Sequence, residues 1–420
     1  MRPRTLGLLL VVLALPAIAR QRAVRHPSAN SGPTFSKEVV RIFQQNCQAC
    51  HREGDVAPFP LVTYADAKPR AALIKFMTQS RQMPPWKATD GCGDFMDARL
   101  LTDAEIDTIA KWADAGAPQG NPSDLPPPRE FPSDWLLGTP DLILANDEAF
   151  TPPAGRDTYR CFTIPTNLVS SAFVRAVDTH PDDRETVHHV LTFIDPTGAS
   201  LALDEADPGP GYTCFGGPGF ALPGGSLGGW APGTRPLELP EGVGFTLPAA
   251  SRVVMQVHYH PHHGEPGPDR TELGVYFWPQ KPEREMIFVP LINQTFTIPP
   301  NDPNYRVTAA FPIAVPWPLK IWFIAPHMHL LGKKINVQVQ PPGEAAQCLI
   351  DIQDWDFNWQ GAYRYKQPIS VPAGSQLSLT AYYDNSSANP RNPNDPPKAV
   401  SWGEETTDEM CIAFLGITLD

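Results

Sequence analysis

The sequence predicts a multidomain protein: a small all-α domain followed by two all-β, jelly-roll-like sandwich domains. Three observations carry this. Residues 34–120 place apolar side chains at helical spacing, residues 121–140 are dominated by proline, and residues 141–420 break into short β-branched and aromatic runs. No strand–helix alternation appears after residue 141, which argues against an α/β fold. A chain of 420 residues is long enough for about three domains.

Each element follows from local chemistry. Phe35–Asn46 reads as an amphipathic helix with Val39, Ile42 and Phe43 on one side. Thr102 and Glu105 form a capping-box pattern that opens a second helix, with Ile106, Ile109, Ala110 and Trp112 on one face, and Gly116 and Pro118 end it. The proline-rich run 121–140 reads as a stiff, extended linker. The strand candidates include Ser171–Val177, Arg252–His260, Glu272–Trp278, Leu319–Ile324, Ile335–Val339 and Gln376–Tyr383, bounded by Pro and Gly. A seam near Pro279–Pro282 divides them into sandwiches over 141–282 and 283–420.

Composition narrows the function. A net charge of −12 argues against nucleic acid or an anionic membrane as the main partner. Arg2 and Arg4 precede an apolar run from Leu6 to Leu15, and Ala17-Ile18-Ala19 follows as a cleavage signal. This is the three-part pattern of a signal peptide over residues 1–19. The expectation is a periplasmic or secreted protein with no transmembrane segment after cleavage, in a compartment that permits disulfides.

Cys47-Gln48-Ala49-Cys50-His51 is C-x-x-C-H, the attachment signature of c-type haem. Two thiols reach the two vinyl groups, and the adjacent histidine ligates the iron. A disulfide or a zinc site could also use Cys47 and Cys50, but no second Cys/His pair lies in this zone to complete four zinc ligands. Met77, Met83 and Met96 are candidates for the sixth ligand. The order helix, C-x-x-C-H, Met-Pro loop, helix resembles a class I cytochrome c, and that resemblance favours Met83.

Of eleven histidines, eight fall in three clusters in the β region: His188 and His189; His258, His260, His262 and His263; His327 and His329. On a strand, His327 and His329 share a face and can clamp one ion. His188 and His189 are adjacent, so serving one metal requires a bulge, a strand end or different ring nitrogens. Imidazoles without a carboxylate cluster suit copper or zinc rather than magnesium or calcium.

In order along the chain stand Asp157-Thr158-Tyr159-Arg160-Cys161, Thr186-Val187-His188-His189, Leu239–Phe245, Gln256-Val257-His258-Tyr259, His327–Gly332 and Thr407-Asp408-Glu409-Met410-Cys411. Together they resemble the copper type II, ascorbate-dependent monooxygenases, the family of peptidylglycine α-hydroxylating monooxygenase and dopamine β-monooxygenase. The resemblance covers residues 157–420. It implies two copper ions: one on His188, His189 and His258 that relays electrons, and one on His327, His329 and Met410 where O2 is activated. It also implies that the two sites face each other across a solvent-filled cleft. The thioether of Met410 suits copper(I).

Departures are informative. Ala325 stands where the peptide-amidating branch has a carboxylate-gripping Arg, and Phe414 stands where it has a Tyr. Both argue against peptide amidation. Met328, inside the H-x-H pair, reads as pointing away from the metal. Cys161 with Cys214 and Cys348 with Cys411 are the expected disulfides, leaving Cys92 unpaired. The functional expectation is an exported copper monooxygenase that hydroxylates a C–H bond with O2, with electrons arriving through covalent haem c. Its partners would be O2, an organic substrate the sequence does not name, and a periplasmic donor to the haem. The alternative is a non-catalytic periplasmic haem/copper electron-transfer or copper-handling protein. A blue-copper protein needs a His shortly after Cys411, and there is none.

Overall fold

The computed structural model describes residues 32–55, 57–131, 135–260 and 265–419. The signal-peptide region 1–19 and the pair His262 and His263 lie outside the described residues. Among the described residues, no helix is long and apolar enough to cross a membrane.

The N-terminal part is helical. A π-turn at Phe35–Val39 runs into an α-helix at Val40–Asn46, and further helices span Ala71–Gln79 and Asp103–Asp114. The capping box at Thr102 and Glu105 is formed in both directions. Phe35, Phe43, Ile109 and Trp112 are buried together in a core of their own. Phe43 meets Trp112 edge-on at 6.4 Å, a geometry aromatic rings favour.

Everything beyond is mostly antiparallel β-sheet. In the first sandwich one sheet runs in the order Leu142–Ala145, Glu272–Trp278, Ala172–His180, Val243–Leu247, Arg284–Glu285. The facing sheet runs Tyr212–Thr213, Thr158–Pro165, Arg252–Tyr259, Val187–Asp195, Ser226–Trp230. Val174, Phe245 and Val275 from one sheet and Phe162, Val190 and Val257 from the other share one buried core. The second sandwich pairs the sheet Ile287–Ile292, Ile412–Leu419, Leu319–His327, Tyr363–Val371 with the sheet Tyr305–Pro312, Gln376–Tyr383, Gly332–Gln340, Gln347–Ile352. Ile321, Leu415, Val337 and Leu379 anchor its core. One short helix, Ala199–Ala206, interrupts the β texture.

The disulfides correct one expectation. Cys161 bonds Cys214 as expected, but Cys348 bonds Cys92, and Cys411 is a buried free thiol. The cause is a strap. Ala88 bridges to Ile352 and Phe95 to Tyr365, and the Thr89 amide donates to the Asp351 carbonyl at 2.8 Å. Residues 86–97 therefore lie along the second sandwich, with Phe95 and Ala88 inside its core. This brings Cys92 to the edge strand that carries Cys348.

Candidate metal centres

The first cluster depends on a bulge. Val187 pairs with Tyr259, yet His189 pairs with His258, so the register slips at His188. The slip turns two adjacent side chains toward one point, which a regular strand cannot do. His188 Nδ1 lies 3.3 Å from His189 Nδ1, and His258 Nδ1 lies 3.4 Å from the same atom. Two imidazole nitrogens held about 2.0 Å from one ion at a tetrahedral angle are about 3.3 Å apart. These two Nδ1 separations thus match a metal's ligands, and all three residues offer ligand atoms within 4.8 Å of one another. The Tyr159 ring stacks on His258 at 4.1 Å and fixes its plane. Burial, with His258, His188, His327 and His329 nearby, holds His189 well below the ordinary imidazole range, so it is neutral, as a ligand must be.

The second cluster forms where a strand ends. Leu319–His327 stops at His327, and His329 follows in the turn. Met328 between them is fully buried in the sandwich core, away from the site. The His327 and His329 rings lie 5.1 Å apart and nearly perpendicular. Nδ1 of His327 donates to the Gln360 side-chain oxygen, and Nδ1 of His329 donates to the Asp408 carbonyl at 3.2 Å. Both rings therefore present Nε2 for a metal. Burial lowers His327 to about 4 and His329 to about 3. Met410 is partly buried two residues after Asp408, and its carbonyl accepts from Tyr383 at 2.7 Å.

Several residues at these clusters have no role in the sequence reading. Glu409 is fully buried and accepts from the amides of His329 at 2.9 Å, Leu331 at 2.5 Å and Met410 at 3.3 Å. Burial raises it to about 8 against the pull of those amides. Gln360 is steadied by donating to the Phe357 carbonyl at 3.0 Å. Phe357 itself stacks on His188 at 5.1 Å and stands edge-on to His329 at 5.9 Å. One ring thus touches a histidine from each cluster. Thr406 donates to Asp157 at 2.6 Å, and Tyr159 donates to the Glu404 carbonyl at 3.3 Å. Phe357 and the 404–409 loop thus connect the two clusters, while His188, His189 and His327 keep partial exposure. The signal for Phe357 and Gln360 is absent from the sequence, because they sit in a loop remote from every histidine motif.

The haem motif is also in a fitting state. Cys47 and Cys50 are free thiols rather than a disulfide. Burial pushes Cys47 up to about 12 and raises Cys50 as well. His51 Nδ1 donates to the Phe59 carbonyl at 3.0 Å, leaving Nε2 for iron. Met83 lines a cavity of about 520 Å³ with Arg81, Trp86, Lys87, Arg99 and Ile106, closed on one side by Gln353 and Asp354 of the second sandwich. Met96 instead belongs to the strap, its amide donating to the Arg364 carbonyl at 2.7 Å.

Comparison with known proteins matches two parts of the chain. Residues 286–416 match the copper type II ascorbate-dependent monooxygenase C-terminal domain, and residues 36–112 match the cytochrome C oxidase, cbb3-type, subunit III model. One chain thus joins a segment similar to a cytochrome c domain to a segment similar to a copper type II monooxygenase domain. Curated relatives agree. DBH-like monooxygenase protein 2 of Mus musculus is 23% identical over 305 residues, 68% of this chain and 46% of its own. DBH-like monooxygenase protein 1 of Homo sapiens is 25% identical over 202 residues, 44% of this chain and 32% of its own. The chain thus spans less than half the length of these relatives. Among solved structures, the major capsid protein P2 of bacteriophage PM2 overlaps 66% of this chain and 96% of its own, with 9% identity and a TM-score of 0.28, too loose to argue from.

Proposed function

We propose that this protein is an exported copper-dependent monooxygenase that hydroxylates a C–H bond with O2, supplied with electrons through a covalent c-type haem. The haem is carried by residues 34–120 with Cys47, Cys50, His51 and Met83. The linker is 121–140, and the jelly-roll-like copper sandwiches are 141–282 and 283–420. His188, His189 and His258 hold the relay copper. His327, His329 and Met410 hold the copper at which oxygen reacts. The observation that carries this reading is the convergence of the two histidine clusters on the single ring of Phe357.

When bound, copper supplies one-electron transfer and oxygen activation, and haem supplies the electrons. The protein's own residues do the rest. Gln360 and the Asp408 carbonyl fix the protons of His327 and His329 on Nδ1. Glu409 pins the turn between His329 and Leu331, so the H-x-H pair keeps its angle. Phe357 packs on a histidine of each cluster, and the Thr406–Asp157 hydrogen bond ties the 404–409 loop to the first sandwich. The Cys92–Cys348 disulfide and the strap hold the haem unit against the copper unit. The ion pair of Asp55 with Arg184, at 3.9 Å, ties the segment after the haem motif to the loop that leads into His188.

The substrate side also carries information. Ala325 and Phe414 are register partners on neighbouring strands, and Ala325 lies two residues before His327. Phe414 is exposed. This small apolar patch supports a substrate bound without a carboxylate clamp.

The test is copper per haem in protein matured in a haem-attaching, copper-replete periplasm, followed by substrate screening with labelled oxygen. A ratio near two is expected, with label in the product. Met410→Ile should leave haem reduction intact and abolish hydroxylation. Fully reduced, copper-loaded protein that consumes no oxygen would instead identify an electron-transfer or copper-handling protein.

A further inference from the structure

We propose that Asp157, His260 and the outer ring nitrogen of His258 form a further metal site, for one divalent cation of the zinc or copper(II) class. The inference rests on the reading that His258 gives Nδ1 to the relay copper. Its opposite nitrogen, Nε2, is buried and has no hydrogen-bond partner. His258 is 1% exposed, so the nitrogen has no recourse to solvent either. A buried polar atom left unpaired is costly and calls for a partner. Asp157 Oδ2 lies 3.7 Å from it, too far for a hydrogen bond and near the separation of two ligands on one ion. Asp157 Oδ1 meets His260 Nδ1, and ligand atoms of all three residues lie within 4.8 Å of one another. His258 and His260 are two apart, which puts them on one side of an extended chain.

Two imidazoles and a carboxylate form a familiar zinc set with a position left over for water. The cation takes the place of the proton that Asp157 and His260 share. It also displaces the proton on His258 Nε2, and both protons leave to solvent. His258 becomes an imidazolate that bridges this cation and the relay copper, and the carboxylate balances part of the added charge. No electron moves. The consequence is mechanical as well as electronic. Asp157 also accepts from Thr406 at 2.6 Å, so a cation here fixes the 404–409 loop that leads to Met410.

The experiment uses the full chain with haem attached and copper supplied at two equivalents, then equilibrated with zinc and freed of excess. We expect one zinc per haem beside two coppers, and a changed copper(II) hyperfine pattern on zinc addition. His260→Ala should bind zinc at least about tenfold more weakly while copper stays at two. Copper at two per haem with no zinc retained, or zinc held equally by His260→Ala, overturns the third site and leaves Asp157 as a hydrogen-bonding partner of His260. If His260→Ala does not fold, an unchanged copper spectrum in the zinc-treated wild type overturns it as well. Copper well below two per haem in the wild type would instead overturn the copper assignment on which this inference rests.

Discussion

Glu409→Ala removes a carboxylate that three backbone amides share. The amides of His329 and Leu331 lose their acceptor where they are buried, and the part-buried amide of Met410 loses its own. An orphaned buried donor costs about 1–3 kcal/mol, so the two buried ones cost about 2–6 kcal/mol before any relaxation. That is a large part of the whole stability of a domain, about 5–15 kcal/mol. Glu409→Gln keeps the volume and one oxygen, but its NH2 group faces an amide donor. It should therefore cost only about 1–3 kcal/mol, the loss of one acceptor. The assay is denaturant unfolding of copper-free protein, so that bound metal does not mask the loss, paired with copper per haem in the loaded protein. The alanine variant should unfold far earlier than the glutamine variant. Copper should fall from about two to about one per haem, because His329 and Met410 both hang on the turn that Glu409 pins. Wild-type midpoints and full copper in both variants would refute the assignment of Glu409 as the organiser of that turn.

Two further outcomes follow from the geometry. Copper-free protein should lose stability as pH falls below about 6.5: the unfolded chain takes up protons there, while His327 resists until about 4 and His329 until about 3. The His327 share alone is on the order of 3 kcal/mol once pH 4 is reached, and a flat melting temperature from pH 7 to 4 would contradict it. Cys92→Ser with Cys348→Ser opens a covalent loop with a sequence separation of 256 residues. Chain entropy puts its contribution at about 5.5 kcal/mol at most, with the pairing of Ala88 and Phe95 retained. Limited proteolysis should then cut within residues 86–97, and equal protection of the strap in both proteins would show that the disulfide does not hold it.

Much of this was legible in the sequence because periodicity and motif spacing are local. The capping box at Thr102 needs only four residues, and the strands Glu272–Trp278 and Gln376–Tyr383 announce themselves by composition and bounding turns. That His188 and His189 need a bulge, a strand end or different ring nitrogens to serve one metal follows from the two-residue period of a strand. What the sequence hides is long-range. The partner of Cys92 depends on a strap that leaves the helical unit and joins another core. Phe357 and Gln360 reach the site from a loop with no histidine of its own, and Asp157 acquires meaning only once it faces His258 and Thr406. Pairings across hundreds of residues depend on tertiary packing, which no local pattern encodes.

Under the proposed function, the contacts between the clusters and the covalent strap bear on one another. Phe357 touches a histidine of each cluster, and Tyr159 and Asp157 bond to the 404–409 loop, so the two clusters are held at one separation. A monooxygenase that relies on a diffusing donor must meet it anew for each electron. A donor domain bonded to the copper unit by Cys92–Cys348 removes that demand. It converts a bimolecular encounter into an internal step whose effective concentration is set by the strap. The cavity that Met83 lines ends on Gln353 and Asp354 of the second sandwich, so the helical unit and the second sandwich meet there. Under the proposed function, electrons pass from one unit to the other within one chain, and the outside donor needs to reach only the haem.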